Sequence, residues 1–426
     1  MRGRQWLDKL KGKELMIFSL FTILLLFTVS FIMDTPANIW EGEKLIVISR
    51  DALITDYFEL AGYGAAFFNA GLVLSIAFAL VAVLKVPFIG MTMAVFFINV
   101  GYALWGKNPI NIMPIIFGVI LYAVRHKATI KRYIYTALFG TCLAPLITEL
   151  AYVFPFSNEI NIILAVVLGI LVGFLLPPLS MHTASMHMGY NLFNVGFSGG
   201  IVAFVMVCIL DSFGIESNAV FIWKAGMHPG ITIGMFVYFI ITFIYGFFIS
   251  GGKLAGLKRI MLHPGRAVAD FVQLHGAGAT LMNMSLVGIV SVIYILLIGG
   301  DFSGPVIGAI MTAFGFAAFG AHLKNYLPVM LGVYLYTFIG RYQPTTPGIQ
   351  LAAIFAVGLA PIAGQFGIIA GIIAGMLHST IVMCTSDLYG GLNLYNNGFS
   401  AGWVAIVMVP ALEGFMRNYV IRRKRL

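Results

Sequence analysis

Residues 189–200 read GYNLFNVGFSGG, and residues 391–402 read GLNLYNNGFSAG. Eight of these twelve positions are identical, among them in-phase Asn, Gly and Ser, which chance matching of apolar runs does not supply. Working outward, the likeness runs from Gly169–Leu210 to Gly371–Leu412. Before it, LAPLITE at 143–149 matches LAPIAGQ at 359–365. Earlier still, residues 62–123 align without gaps on 276–337 at a constant offset of 214. Asn69, Gly101, Gly106, Asn111 and Pro114 thereby fall on Asn283, Gly315, Gly320, Asn325 and Pro328. The chain is a duplication. In a membrane protein made of two related halves, a solute pathway is expected between them.

Composition fixes the solvent. With 60% hydrophobic and 10% charged residues over 426 positions, the chain cannot cover a water-facing surface, which takes about a quarter charged residues. Several apolar runs are long enough to cross a bilayer as helix, and the ten-residue alternation of a barrel is missing. The fold class expected is all-α, a polytopic helical membrane protein with about 14 hydrophobic segments. Among them are segments near 87–105, 109–124, 303–320 and 324–340. The apolar run Leu15–Met33 follows a basic start (Arg2, Arg4, Lys9, Lys11, Lys13) and reads as a retained first span, not a cleaved signal peptide. Cys142, Cys208 and Cys384 lack metal-ligand spacing and read as small buried hydrophobes.

If every segment crosses, all of the 25 lysines and arginines except Lys44, Arg50, Lys107, Lys224 and Arg341 fall on one side. The positive-inside rule then puts both termini in the cytoplasm. The formal charge of +9 is explained by this bias, with no nucleic-acid partner needed. The organisation expected is a first span plus acidic outer loop (1–61), repeat 1 (62–212), a linker span and basic cytoplasmic loop (213–270), repeat 2 (271–414) and a basic tail (415–426). Six segments per half with one between them is odd, so the halves should enter the membrane from opposite sides as an inverted repeat.

Polar groups within spans are costly and direct attention to function. Asn69 and Asn283 share one address in the two halves, either lining a pathway or serving as interhelical glue. In the duplicated motif, Asn191 and Asn194, with Asn393 and Asn396, sit three apart and share a helix face. The preceding stretches 177–190 and 379–392 hold a Pro pair, Thr183, Thr385 and other polar residues, and read as unwound or re-entrant backbone suited to a polar solute. Glu149, His182 and Asp387 are the titratable candidates for coupling, with His187 in the first stretch and His378 just before the second.

GFSGG at 196–200 and GFSAG at 398–402 also satisfy G-x-S-x-G, so a membrane-embedded serine hydrolase is the rival reading. A duplicated packing motif is the commoner meaning, and no enzyme activity is expected. H-E-x-x-H, Walker A and paired-cysteine patterns are absent, so no metal site is expected and the cofactor is unknown. The paired N-L-[FY]-N-x-G-F-S-x-G signature with the LAP block resembles an uncharacterised bacterial family of integral membrane proteins carrying a twice-occurring domain of unknown function. That resemblance implies a multi-pass protein of the bacterial inner membrane and supplies no substrate. The architecture also looks like inverted-repeat carriers and channels. The expected function is movement of a small polar or ionic solute, with the lipid bilayer as the other partner and a homo-oligomer left open.

Overall fold

The computed structural model describes residues 12–51, 53–216 and 219–423, without the side chains of 386–387 and 416–423. Arg2, Arg4, Lys9, Lys11 and the side chain of Asp387 therefore lie outside the described residues. The elements are α1 (Glu14–Met33), α2 (Pro36–Ile48), β1 (Leu53–Thr55), α3 (Gly62–Val83), α4 (Gly90–Tyr102), α5 (Met113–Arg125), α6 (Ile134–Gly140), α7 (Ala144–Val153), α8 (Asn158–Met186) and α9 (Asn194–Ser212). After β2 (Val220–Ile222) come α10 (Pro229–Ile249), α11 (Ala277–Leu297), α12 (Gly304–Phe316), α13 (Leu323–Tyr336), α14 (Pro347–Phe355), α15 (Ala360–Phe366), α16 (Ile368–Leu388) and α17 (Asn396–Arg423). The two strands pair in parallel, and everything else of size is helix.

Ten helical segments among the described residues are long and apolar enough to cross a membrane, which fits a multi-pass membrane protein. All fourteen expected hydrophobic segments are helical, but they are not of one length. Four segments form helices of only 13, 13, 13 and 14 residues (α4, α5, α12 and α13). At 1.5 Å per residue each is about 20 Å long, short of a core about 30 Å thick. Gly106 and Gly320, both at positive φ, turn the chain between the members of each pair.

One expectation fails in an instructive way. Stretches 177–186 and 379–388 are not unwound: α8 runs through Pro177 and Pro178, and α16 continues to Leu388. A Pro ring clashes with the carbonyl four residues back and removes a donor, yet neighbouring elements can take up the freed groups. The real breaks lie at the LAP blocks. There a 3-10 turn at Thr141–Leu143 separates α6 from α7, and one at Ala356–Leu359 separates α14 from α15. Pro145 and Pro361, in the first turns of α7 and α15, have no N–H to continue the preceding helix. Cys142 is buried as expected, whereas Cys208 and Cys384 are exposed on helix surfaces. An apolar surround on a membrane helix is met by lipid as well as by protein.

Equivalent positions make equivalent bonds. Asn69 Nδ2 donates to the Ala103 and Lys107 carbonyls at 2.6 and 2.7 Å, and Asn283 Nδ2 to those of Ala317 and Ala321 at 2.7 and 2.8 Å. Other bonds cross between halves in matched pairs. The Leu394 N–H donates to the Cys142 carbonyl and the Leu192 N–H to that of Gly358, both at 2.9 Å, so each half fills the other's helix break. Asp56 accepts from the Gly304 N–H at the start of α12, and Asp270 from the Met91 N–H at the start of α4, both at 3.1 Å. Helices α4 and α12 run antiparallel in close contact. A β-carbon on Gly101 would stand 2.2 Å from the Gly308 carbonyl oxygen, and one on Gly90 2.3 Å from that of Ala318.

Candidate functional site

Beside the first motif loop, a cavity of about 360 Å³ enters the molecule and reaches Tyr395 of the second. It runs from Val268, which is 80% exposed, past Ala184, Met188 and Gly189 to the buried Ile98, Phe193 and Tyr395. Its wall is mostly apolar, with Met91, Phe139, Phe316 and Phe319 prominent.

Of the residues singled out in the sequence, Asn191 and Asn194 line this cavity. Their amides are already engaged. Asn191 Nδ2 donates to the Gly398 carbonyl at 3.0 Å, and its Oδ1 accepts from the Phe193 N–H. Asn194 Nδ2 donates to the Ser180 carbonyl at 2.8 Å, which fixes Oδ1 as the acceptor facing Thr183 and His187. His187 therefore carries its hydrogen on Nε2, and its Nδ1 has no partner among the described residues. In the second half, Asn393 donates to the Gly196 carbonyl at 3.3 Å, Asn396 accepts from the Tyr389 hydroxyl, and Thr385 bonds back to Val382. Thr183 lies behind the cavity, hydrogen-bonded to Asn194 and Ser198.

Asn69 and Asn283 are fully buried and spend their amide hydrogens on the turns after α4 and α12, and neither lines the cavity. His182 is exposed on α8. Glu149 is buried in an ion pair with Arg50, whose Nε donates to Oε2 at 3.0 Å. That pair ties the segment after α2 onto α7.

The residue that sequence reading missed is Lys107. Its charge assigned it to an outer loop, yet it is 0% exposed. Its Nζ donates to Asn99 Oδ1 at 3.1 Å and to the Tyr395 hydroxyl at 2.8 Å, and lies over the Tyr102 and Tyr395 rings. Thr141 completes the cluster, donating to Asn99 Oδ1 at 3.0 Å. Among the described residues no carboxylate pairs with this ammonium. One signal was available: the repeat alignment sets Lys107 opposite Ala321, a charge where the other half has a methyl group.

The two motif loops differ in their surroundings. The Ala267 N–H donates to the Gly189 carbonyl and the Leu53 N–H to the Gly391 carbonyl, both at 3.0 Å. Beside Gly189 the cavity is open, lined by Ala267 and Val268. Gly391, its equivalent, is buried, whereas Gly189 is half-buried.

The family described as "Protein of unknown function (DUF1576)" matches residues 35–212 and again 249–414, most of the chain, and the chain belongs to it. No curated protein and no solved structure matches the chain.

Proposed function

Proceeding from a family whose unit occurs twice in one chain, we propose that this protein carries a small polar or ionic solute across the bacterial inner membrane. The two halves are inverted about a pseudo-two-fold axis in the membrane plane, both termini are cytoplasmic, and the protein is not an enzyme. The observation that carries this reading is the one-sided cavity. It reaches residues of both halves, opening beside the half-buried Gly189, while the equivalent Gly391 is buried. Antiparallel packing of the equivalent helices α4 and α12 supports the inversion. A carrier of this kind exchanges which face is open by rocking one half against the other.

Cysteine accessibility tests it. In a chain with Cys208 and Cys384 replaced by Ser, Ala184→Cys should react with a small membrane-impermeant thiol reagent from the cytoplasmic face alone. Val382→Cys, at the address equivalent to the cavity-lining Ser180, should stay protected in the same state. An unreactive Ala184→Cys would remove the cavity as a route.

The rival hydrolase has one observation in its favour. Ser400 Oγ lies 2.9 Å from His378 Nδ1, and His378 Nε2 lies 3.0 Å from Asn397 Oδ1. All three are buried, none lines the cavity, and Ser400 stands within helix α17. At the matching address Ser198 bonds Thr183 instead. Covalent labelling of Ser400 by a fluorophosphonate would favour the hydrolase.

A further inference from the structure

Resting on the carrier reading, the Lys107 cluster narrows the solute class. Burying an ammonium costs several kcal/mol unless opposite charge or well-placed acceptors compensate. Here the acceptors are two neutral oxygens, from Asn99 and Tyr395, and two aromatic rings. An ammonium only donates, so the Tyr395 hydroxyl must accept from Lys107. Its own hydrogen then has no acceptor among the described residues, and it belongs to a residue lining the inner end of the cavity. A phenol that accepts from a cation is a stronger donor through its remaining hydrogen.

The other charges near the cavity stand toward its mouth. Arg266 donates to the Met188 carbonyl at 2.6 Å, and Asp270 holds the start of α4 beside Met91. They are of opposite sign, which leaves Lys107 as the uncompensated charge at the inner end. We infer that the cavity takes a small organic anion, its apolar body against the Phe139, Phe193 and Phe316 rings and its anionic group directed toward Tyr395, with Lys107 as the counter-charge.

Charged thiol reagents of equal reach read the sign of that field without knowledge of the natural solute. In the Cys208→Ser, Cys384→Ser background, Ala184→Cys is treated with 2-sulfonatoethyl methanethiosulfonate (anionic) and its 2-(trimethylammonio)ethyl analogue (cationic). Both rates are normalised to free cysteine. The anionic reagent should be preferred by about fivefold or more, a floor set well below what an unscreened unit charge exerts in an effective dielectric near 20. Lys107→Met should abolish the preference, and Lys107→Arg should keep it. Should Lys107→Met fail to fold, Val268→Cys at the mouth supplies the control. A Lys107 field gives a preference that grows from Val268 inward to Ala184, whereas a preference set by Arg266 fades inward and overturns the inference. Equal rates at Ala184→Cys, or preference for the cation, also overturn it while leaving the carrier reading standing. No reaction with either reagent defeats both readings.

Discussion

At one address the protein is polar and at its duplicate it is oily. Asn99, Lys107, Thr141 and Tyr395 form a bonded cluster, and the positions aligned with them are Ala313, Ala321, Val357 and Phe193. Backbone bonds around the two addresses agree to about a tenth of an ångström, Asn69 and Asn283 included. The duplicated frame is therefore kept for shape, while the side chains inside it have diverged. Divergence at the centre of a symmetric frame suits a carrier of an asymmetric solute.

The sharpest way to break the comparison is to charge the oily address. Ala321→Lys buries a second ammonium without an amide or phenol to receive it, and should cost about 3–5 kcal/mol. A drop in thermal unfolding temperature in detergent would register it. Unchanged stability would mean that Phe193 and Phe316 yield to water.

A pH scan compares the two caps. Asp51 is buried, accepts from the Tyr57 hydroxyl and the Asn111 amide, and falls on Gly265 at the offset of 214. Burial pushes its carboxyl from 3.8 up to about 7, against the lowering effect of its hydrogen bonds. A carboxyl raised on folding favours the folded state while protonated. Its contribution is complete below about pH 4 and lost as pH climbs through about 7. Glu43, pushed up to about 8 by burial, acts in the same sense. Asp51→Asn should thus gain on the order of 2–4 kcal/mol relative to wild type between pH 4 and pH 8. A wild-type stability that rises with pH over that window would contradict the assignment.

Asn69→Leu and Asn283→Leu each leave two buried carbonyls without a donor, about 1–3 kcal/mol of destabilisation. They sharpen the comparison because only Asn69 holds the Lys107 backbone. Loss of the reagent preference in Asn69→Leu but not in Asn283→Leu is expected. Loss in both would mean a general loosening. Smallest is Thr141→Val, which copies the oily address and removes one hydrogen bond to Asn99, about 1 kcal/mol. Hydrogen exchange at the end of α4 reads whether Asn99 then loosens.

These particulars show what a sequence displays. In-phase Asn69 and Asn283 were legible as equivalents, because the offset of 214 is a matter of counting. Their work on the turns after α4 and α12 was not, since a side chain reaching a carbonyl 34 and 38 positions away leaves no local pattern. Pro177 and Pro178 suggested a break where the helix continues, and the true breaks hide in the LAP blocks, where the missing donors come from the opposite half.

The sequence by itself determined the solvent, the helical class and the duplication. Each follows from composition or self-similarity, which are properties of the chain read along its length. Tertiary structure alone decided that four apolar segments form helices too short to cross alone, that Lys107 is buried and that the cavity opens beside Gly189. Burial and pairing are set by residues distant in sequence: Tyr395 reaches Lys107 across 288 positions. A lysine between two apolar segments reads as a loop residue until the chain that folds over it is in place.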